Sequence, residues 1–293
     1  MKVLITGANG QVGWELQRAL APLGEVLALG HAQLDLANAD AIRQVLRHAA
    51  PDLIVNAAAY TAVDRAEQEQ DLAQAINGIA PGILAEEVQR LNAALVHFST
   101  DYVFDGNKGA PYEEIDATNP QSVYGASKLA GEKAIAAVNC AHLILRTSWV
   151  YGARGKNFLL TMQRLAGERD ELRVVDDQTG APTWSRMLAE ATLLMLGQCV
   201  HKNSVTDRLR DKGGLFHLSA GGQTSWFGFA SAIVQAREKP PRMTPIATAE
   251  YPLPAARPAY SVLANDKVLR HFGVLLPDWR QSLNLCLAQN QAQ

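Results

Sequence analysis

The chain opens with MKVLITGANGQVGWEL (residues 1–16), and the stretch Thr6–Gly13 within it decides how the rest folds. Val3, Leu4 and Ile5 form a short apolar run without polar alternation, as in a strand buried on both faces. Gly7, Gly10 and Gly13 follow at the spacing GxxGxxG, and helical spacing of apolar residues begins at once in QVGWELQRALAPL (11–23). Glycine at these places lets the chain turn tightly, brings backbone N–H groups close to a diphosphate and lets helix pack on strand. The N-terminus of the helix adds a favourable potential for negative charge. Gly7, Gly10, Gln11, Val12 and Gly13 are therefore candidate cofactor-binding residues. A glycine turn without a ligand has the same local pattern, and what favours a dinucleotide is the place of this one, at the start of a strand–helix array.

That array continues outward. EVLAL (25–29), DLIVN (52–56), ALVHF (94–98) and HLILRT (142–147) read as four more buried strands. NADAIRQVLRHAA (38–50), DLAQAINGIAPGILAEEVQRLN (71–92) and SVYGASKLAGEKAIAAV (122–138) carry helical spacing between them. Strand and helix alternating in this way predict an α/β protein, a Rossmann-type doubly wound parallel sheet with right-handed crossovers. After about residue 150 the regularity weakens, and Gly, Pro and Trp become frequent in DDQTGAPTW (176–184), in 238–258 and in LLPDW (275–279). The expected organisation is a dinucleotide-binding domain over 1–151, joined by a helix within 183–212 at SRMLAEATLLMLGQ. A smaller, irregular substrate-binding lobe is expected over 152–293.

Composition narrows the partners. The chain is 48% hydrophobic and 19% charged, with 27 Lys and Arg against 29 acids and a net charge of −2. Neither sign forms a block, so no nucleic-acid or anionic-membrane partner is expected, and a small-molecule partner is favoured. Cys140, Cys199 and Cys286 are odd in number and far apart, which predicts reduced core thiols rather than disulfides or a zinc site. The N-terminal apolar stretch is too short for a signal peptide, and no run reaches the roughly 18 apolar residues of a membrane span, so a cytoplasmic location is expected.

Further motifs stand at the ends of the expected strands. The second strand ends in LALGHAQLDL, with Gly30 and His31 where a carboxylate would hold the ribose 2′-hydroxyl of NAD. Without that acid a 2′-phosphate meets no repulsion, which favours NADPH, with His31 beside it and NADH as the alternative. Asp35 and Leu36 are placed toward the adenine. In VNAAAYTAVD the small residues Ala58 and Ala59, then Tyr60 and Thr61, let a cofactor lie against the backbone. Tyr124 and Lys128 in YGASK are four apart on a helix and share a face. A nearby ammonium favours the phenolate, so Lys128 is expected to lower the Tyr124 phenol from its usual value of about 10 and make a tuned proton donor.

The GxxGxxG, the STD at 99–101 and YGASK stand in the order and spacing of the extended short-chain dehydrogenase/reductases, which the chain resembles over essentially its whole length. Within that group VNAAAYTAVDRAE, STDYVFDG, YGASKLAGE, RTSWVYG, DQTGAPT and ARPAYSVL are most similar to the dTDP-4-dehydrorhamnose reductase family. The resemblance implies a catalytic trio: Thr100 beside the substrate carbonyl, Tyr124 as proton donor, and Lys128 as binder of the nicotinamide ribose. It also implies substrate contacts for Thr100, Asp101 and Trp149. The implied reaction is NADPH-dependent reduction of the 4-keto group of dTDP-6-deoxy-L-lyxo-4-hexulose to dTDP-L-rhamnose, for cell-surface polysaccharide. A reductase of another dTDP-4-keto-6-deoxy sugar is one alternative. Another is a non-catalytic, nucleotide-sensing regulatory subunit, as in a partner of methionine adenosyltransferase that shares STDYVFDG-like segments. Related dehydratases eliminate water with an acid–acid pair after the Thr, whereas here Tyr102 follows Asp101, which favours simple reduction. Some relatives resemble Mg²⁺-bridged dimers, but beside Glu15 the segment after Thr183 brings Arg186 where a hard cation wants an acid. No metal is expected, and the chain is expected to be a monomer or a weak homodimer.

Overall fold

The computed structural model describes residues 1–235 and 237–291; the last two residues of the expected C-terminal lobe, 292 and 293, lie outside them. Five strands follow one another through the first half: β1 (Lys2–Thr6), β2 (Glu25–Leu29), β3 (Leu53–Asn56), β4 (Ala94–Thr100) and β5 (Ala141–Thr147). With a late strand, Gly214–His217, they make a parallel sheet ordered β2-β1-β3-β4-β5 and then Gly214–His217. The chain leaves β1 toward β2 on one side and returns to β3 on the other. The strand order thus reverses between β1 and β3, where open α/β sheets bind ligands beyond the strand ends.

Both faces of the sheet are covered, which is why its strands carry apolar residues without alternation. Val3, Ile5, Val55, Val96 and Leu145 point into one core, while Leu4, Ile54, Leu95 and Ile144 point into the other. Each fully buried aliphatic side chain of this kind contributes about 1.5–3 kcal/mol. β4 runs two residues past the apolar stretch expected for it. Ser99 and Thr100 stay in the strand because they remain registered with Arg146 and Thr147 of β5.

The second half of the chain serves two bodies. Helix Ser185–Cys199 packs on helix Gln11–Ala19, and its Leu188, Ala189 and Met195 belong to the first core, as do Val268 and Phe272. A separate core gathers Tyr151, Leu159, Met162, Trp184, Phe229, Ile233, Trp279 and Leu283. The strands Glu171–Val175 and Arg242–Ile246 pair in parallel in the same region. The three cysteines are free and buried.

The helix Val123–Val138, which carries Tyr124 and Lys128, is fixed at several points. Its N-cap is Ser122, whose hydroxyl accepts from the Gly125 N–H at 3.2 Å. A Cβ at Gly125 would stand 2.2 Å from the Tyr102 carbonyl oxygen, and one at Gly131 would stand 2.2 Å from the Asn77 carbonyl oxygen. Only glycine allows the helix to lie this close to the turn after β4 and to the π-helical segment Gln74–Ile79. Below Lys128, Glu132 accepts a bidentate pair of hydrogen bonds from Arg146 of β5, at 2.9 and 2.6 Å, and a third from Ser99.

Candidate active site

A cavity of about 780 Å³ lies over the β1/β3 switch point, at the carboxyl ends of β1, β3, β4 and β5. Its floor is the glycine turn. Gly7 has φ +70°, and a Cβ there would stand 2.7 Å from the Ala58 amide nitrogen, so the turn presses directly on the end of β3. The Gly10 N–H donates to the Gly7 carbonyl at 2.9 Å, and helix Gln11–Ala19 begins immediately after it. A cradle of bare backbone at a helix N-terminus fits a dinucleotide diphosphate.

Most of the residues expected from the sequence line this one cavity. Gly7, Gly10, Gln11 and Val12 form the floor, and His31, Asp35 and Leu36 one end. Ala58, Ala59 and Thr61 stand at β3, Thr100 and Asp101 at β4, Tyr124 and Lys128 on the helix, and Trp149 after β5. Two expected residues are not in its wall. Gly13 is buried behind the turn, where a Cβ would stand 2.1 Å from the Gly7 carbonyl oxygen, so it serves helix-on-strand packing. Tyr60 is turned away: its hydroxyl donates to Glu69 at 2.5 Å, and its backbone is held from both sides by the Asn77 amide at 2.9 and 3.0 Å.

The wall also contains residues that sequence reasoning passed over. Trp226, at the start of helix Trp226–Val234, stacks on Trp149 with ring centroids 3.6 Å apart and planes 4° from parallel. Trp149 has φ 47°, and a Cβ at Gly180 would stand 2.4 Å from its indole, so the ring is held close against the Gly180 backbone. The one sequence signal for Trp226 is an aromatic beside a Ser N-cap, at Ser225. Asn9, Ser99, Tyr102, Thr147 and Lys156 are further polar lining residues that were missed. His31 and Asp35 stand 3.7 Å apart, both well exposed, so the exposed imidazole has an acid beside it.

Burial governs the charges at the reacting end. The Tyr124 phenol is pushed up to about 12 by burial, the Thr100 hydroxyl pulling it part way back and the Asp101 charge adding to the rise. Lys128 is not what tunes it, contrary to the sequence expectation. Its ammonium is buried, donates to the Phe98 carbonyl at 2.6 Å and meets Nε2 of His97 at 3.3 Å. Burial brings Lys128 itself down to about 8, with Glu132 pulling the other way. At neutral pH Tyr124 is therefore firmly a phenol, and Tyr102, whose edge packs on the Tyr124 ring, is pushed still further above the ordinary phenol range.

Thr100 accepts from the Tyr102 N–H at 3.2 Å and donates to Oδ1 of Asp101 at 3.0 Å. The other oxygen, Oδ2, is buried without a partner among the described residues. Burial raises Asp101 to about 6, against the pull of the Ser261 and Thr100 hydroxyls. A buried carboxylate with one oxygen held by Thr100 and the other near only the Ser261 hydroxyl, at the wall of a cavity, can accept from a ligand hydroxyl.

No group of three or more potential metal ligands occurs among the described residues. Oε2 of Glu15 instead takes Nε of Arg186 at 3.3 Å. Among the described residues no helix is long and apolar enough to cross a membrane.

Comparison with known proteins agrees with this geometry. A family model described as RmlD substrate binding domain matches residues 1–292. The dTDP-4-dehydrorhamnose reductase of Burkholderia thailandensis is 48% identical over 295 residues, covering 98% of this chain and 98% of its own. The crystal structure of such a reductase from Clostridium acetobutylicum superposes with a TM-score of 0.92 at 40% identity, covering 99% of this chain and 100% of that one. The Bacillus anthracis reductase, solved in complex with NADP, gives 0.88 at 38% identity, covering 98% and 99%. A UDP-glucose 4-epimerase from Thermus thermophilus, at 20% identity and a TM-score of 0.82, shares the fold.

Proposed function

Since the chain belongs to the dTDP-4-dehydrorhamnose reductase family, we propose that it reduces the 4-keto group of dTDP-6-deoxy-L-lyxo-4-hexulose to give dTDP-L-rhamnose. NADPH, when bound along the glycine turn, supplies the hydride. The single observation that carries the reading is the meeting of Thr100, Tyr124 and Lys128 with Gly7, Gly10, Gln11 and Val12 in one cavity wall.

Each residue has work suited to its state. Tyr124, a phenol at neutral pH, gives its proton to the oxygen that becomes a hydroxyl, and an alkoxide forming there is far more basic than a phenolate, so the transfer runs downhill. Thr100 orients that oxygen beside the phenol. Lys128, fixed by the Phe98 carbonyl, holds the cofactor ribose. Asp101 takes a sugar hydroxyl, and the stacked Trp149 and Trp226 rings wall the sugar subsite. Elimination would need a second acid after Asp101, and the buried Tyr102 phenol is too weak a one at neutral pH.

Within this reading residues 1–151 with the helix Ser185–Cys199 bind the dinucleotide, the later residues around Trp226 close over the sugar, and the enzyme works in the cytoplasm as a monomer or weak homodimer. The test is to mix the protein with NADPH and the 4-keto sugar nucleotide and follow loss of the reduced-nicotinamide absorbance. Tyr124→Phe is expected to lower kcat by about 10²–10⁴-fold while leaving the NADPH Kd unchanged. Turnover by the variant within a few-fold of the parent refutes the role of Tyr124. Absence of turnover with any dTDP-4-keto sugar refutes the reductase.

A further inference from the structure

Behind Lys128 lies a row of buried polar side chains carried from strand to strand. Nζ of Lys128 meets Nε2 of His97 at 3.3 Å, Nδ1 of His97 lies 2.9 Å from Nδ2 of Asn56, and Oδ1 of Asn56 accepts from the Thr6 hydroxyl at 2.6 Å. The three residues are registered neighbours, Thr6 on β1 opposite Asn56 on β3, and Asn56 opposite His97 on β4. Each is only 1% exposed, and none lines the cavity. Polar groups in the middle of a sheet core are costly unless they satisfy one another. These do so in a way that depends on Lys128.

A neutral imidazole has one N–H and one lone pair. His97 is held neutral, burial and the Lys128 charge keeping it well below its ordinary value. With the Thr6 hydroxyl donating to Oδ1 of Asn56, the Asn56 amide donates to Nδ1, and the imidazole proton sits on Nε2, facing Nζ. That arrangement satisfies a free amine at Lys128, which accepts. Turned end for end, the Asn56 amide donates to Thr6 and accepts from Nδ1–H, and Nε2 offers its lone pair to an ammonium. An amide keeps its shape on such a turn, so both states fit one set of heavy-atom positions. On passing from ammonium to amine, one proton leaves Lys128 for the cavity, and the imidazole keeps a single proton, on its other nitrogen.

We propose that His97, backed by Asn56 and Thr6, is the positioning residue for Lys128: it accepts from the ammonium, donates to the amine, and so keeps Nζ in one place in both forms. The other ionisable groups around Nζ do not offer this. On its own helix, Tyr124 lies one turn before it, and Glu132, one turn after, is committed to Arg146 and Ser99. Asp101, beyond the end of β4, is bonded to Thr100.

The first arm of the test is independent of catalysis. Protein labelled with ¹⁵N-histidine, free of ligand, is titrated from about pH 6.5 to 9.5, either side of the value of about 8 to which burial brings Lys128. The resonances lost in His97→Gln identify the ring. The expected result is an imidazole that stays neutral while its proton changes from Nδ1 to Nε2; a single tautomer throughout, or a charged ring, overturns the proposal. The second arm rests on the reductase reading. In His97→Leu the alkaline limb of kcat/KM should move to about tenfold higher proton concentration, because the lost charge-assisted bond weakens the ammonium more than the amine. His97→Gln, which can accept or donate, should restore the midpoint to within about threefold. A limb unmoved in a folded His97→Leu overturns the proposal, since a merely structural histidine would lower stability and leave the midpoint alone. Should the Leu variant not fold, the labelled parent decides. Should no sugar nucleotide be reduced, the reaction is wrong, and the tautomer titration still judges His97.

Discussion

Asp101→Asn should make the protein more stable and less active at once. In the parent the carboxyl is raised from 3.8 to about 6, chiefly because it is buried. At pH values above 6 the folded state therefore holds a charge that the unfolded chain hydrates better. The difference of about 2.2, at 1.36 kcal/mol for each tenfold step, is about 3 kcal/mol lost to the folded parent at pH 8. The sign is that of a raised carboxyl: stability is greatest at low pH and falls as pH rises from 3.8 through 6. Asparagine carries no such charge, can still accept from Thr100, and turns an amide N–H toward Ser261, whose hydroxyl has no partner among the described residues. Its advantage should be about 3 kcal/mol at pH 8 and about half that at pH 5, where the parent carboxyl is mostly protonated when folded. For a chain of 293 residues, about 3 kcal/mol corresponds to a Tm gain of roughly 5 °C. Urea unfolding of both proteins at the two pH values measures it, and kcat/KM should fall at least tenfold in the same variant. A variant no more stable than the parent at pH 8, or one whose gain does not change with pH, would sink the claim that burial of the charge is what raises Asp101.

Three further outcomes are expected. Trp226→Ala removes the ring stacked on Trp149, and as such a stack is worth about 0.5–1.5 kcal/mol beyond its burial, urea unfolding should show at least that loss of stability, while the KM for the sugar nucleotide should rise with the NADPH Kd unchanged. An unchanged KM would remove Trp226 from the sugar subsite. Gly13→Ala forces a methyl to 2.1 Å from the Gly7 carbonyl oxygen, so the turn must shift; the NADPH Kd, read by titrating the cofactor fluorescence, should rise more than tenfold, and parent-like binding would contradict the packing described. Dialysis against EDTA should leave turnover as it was, Glu15 being held by Arg186. A loss restored by Mg²⁺ would show that this pair does not replace a cation.

The parts of the fold that were legible in the sequence share a cause. β1 and β3 to β5 are buried on both faces, and the edge strand β2 is half-buried but still an unbroken apolar run, so these strands stand out without an alternation to decode. Gly214–His217 could not be found that way: it has four residues, two of them half-buried at the sheet edge, and only its pairing with β5 makes it a strand. The same contrast runs through the site. Spacing brought Tyr124 and Lys128 to one face of a helix, and the glycine turn to the start of another, because both are local geometry. It could not tell that Lys128 would turn to a β4 carbonyl and a β4 imidazole. The sign of the Tyr124 shift follows from that burial, which no spacing reports. Tyr60 stands outside the cavity wall for a related reason, since Glu69 and Asn77, from the segment after it, claim both its hydroxyl and its backbone.

The late arrival of Gly214–His217 bears on how the molecule is made. Until that strand has left the ribosome, β5 presents an open edge, with Leu143 and Leu145 beside unpaired backbone amides, and such edges seek other chains. The nucleotide-binding half therefore cannot complete itself while the remainder is still being synthesised. A fragment cut at residue 151 should be sticky and prone to self-association rather than a portable binding module. Translation must deliver about three quarters of the protein before its oldest part is sealed.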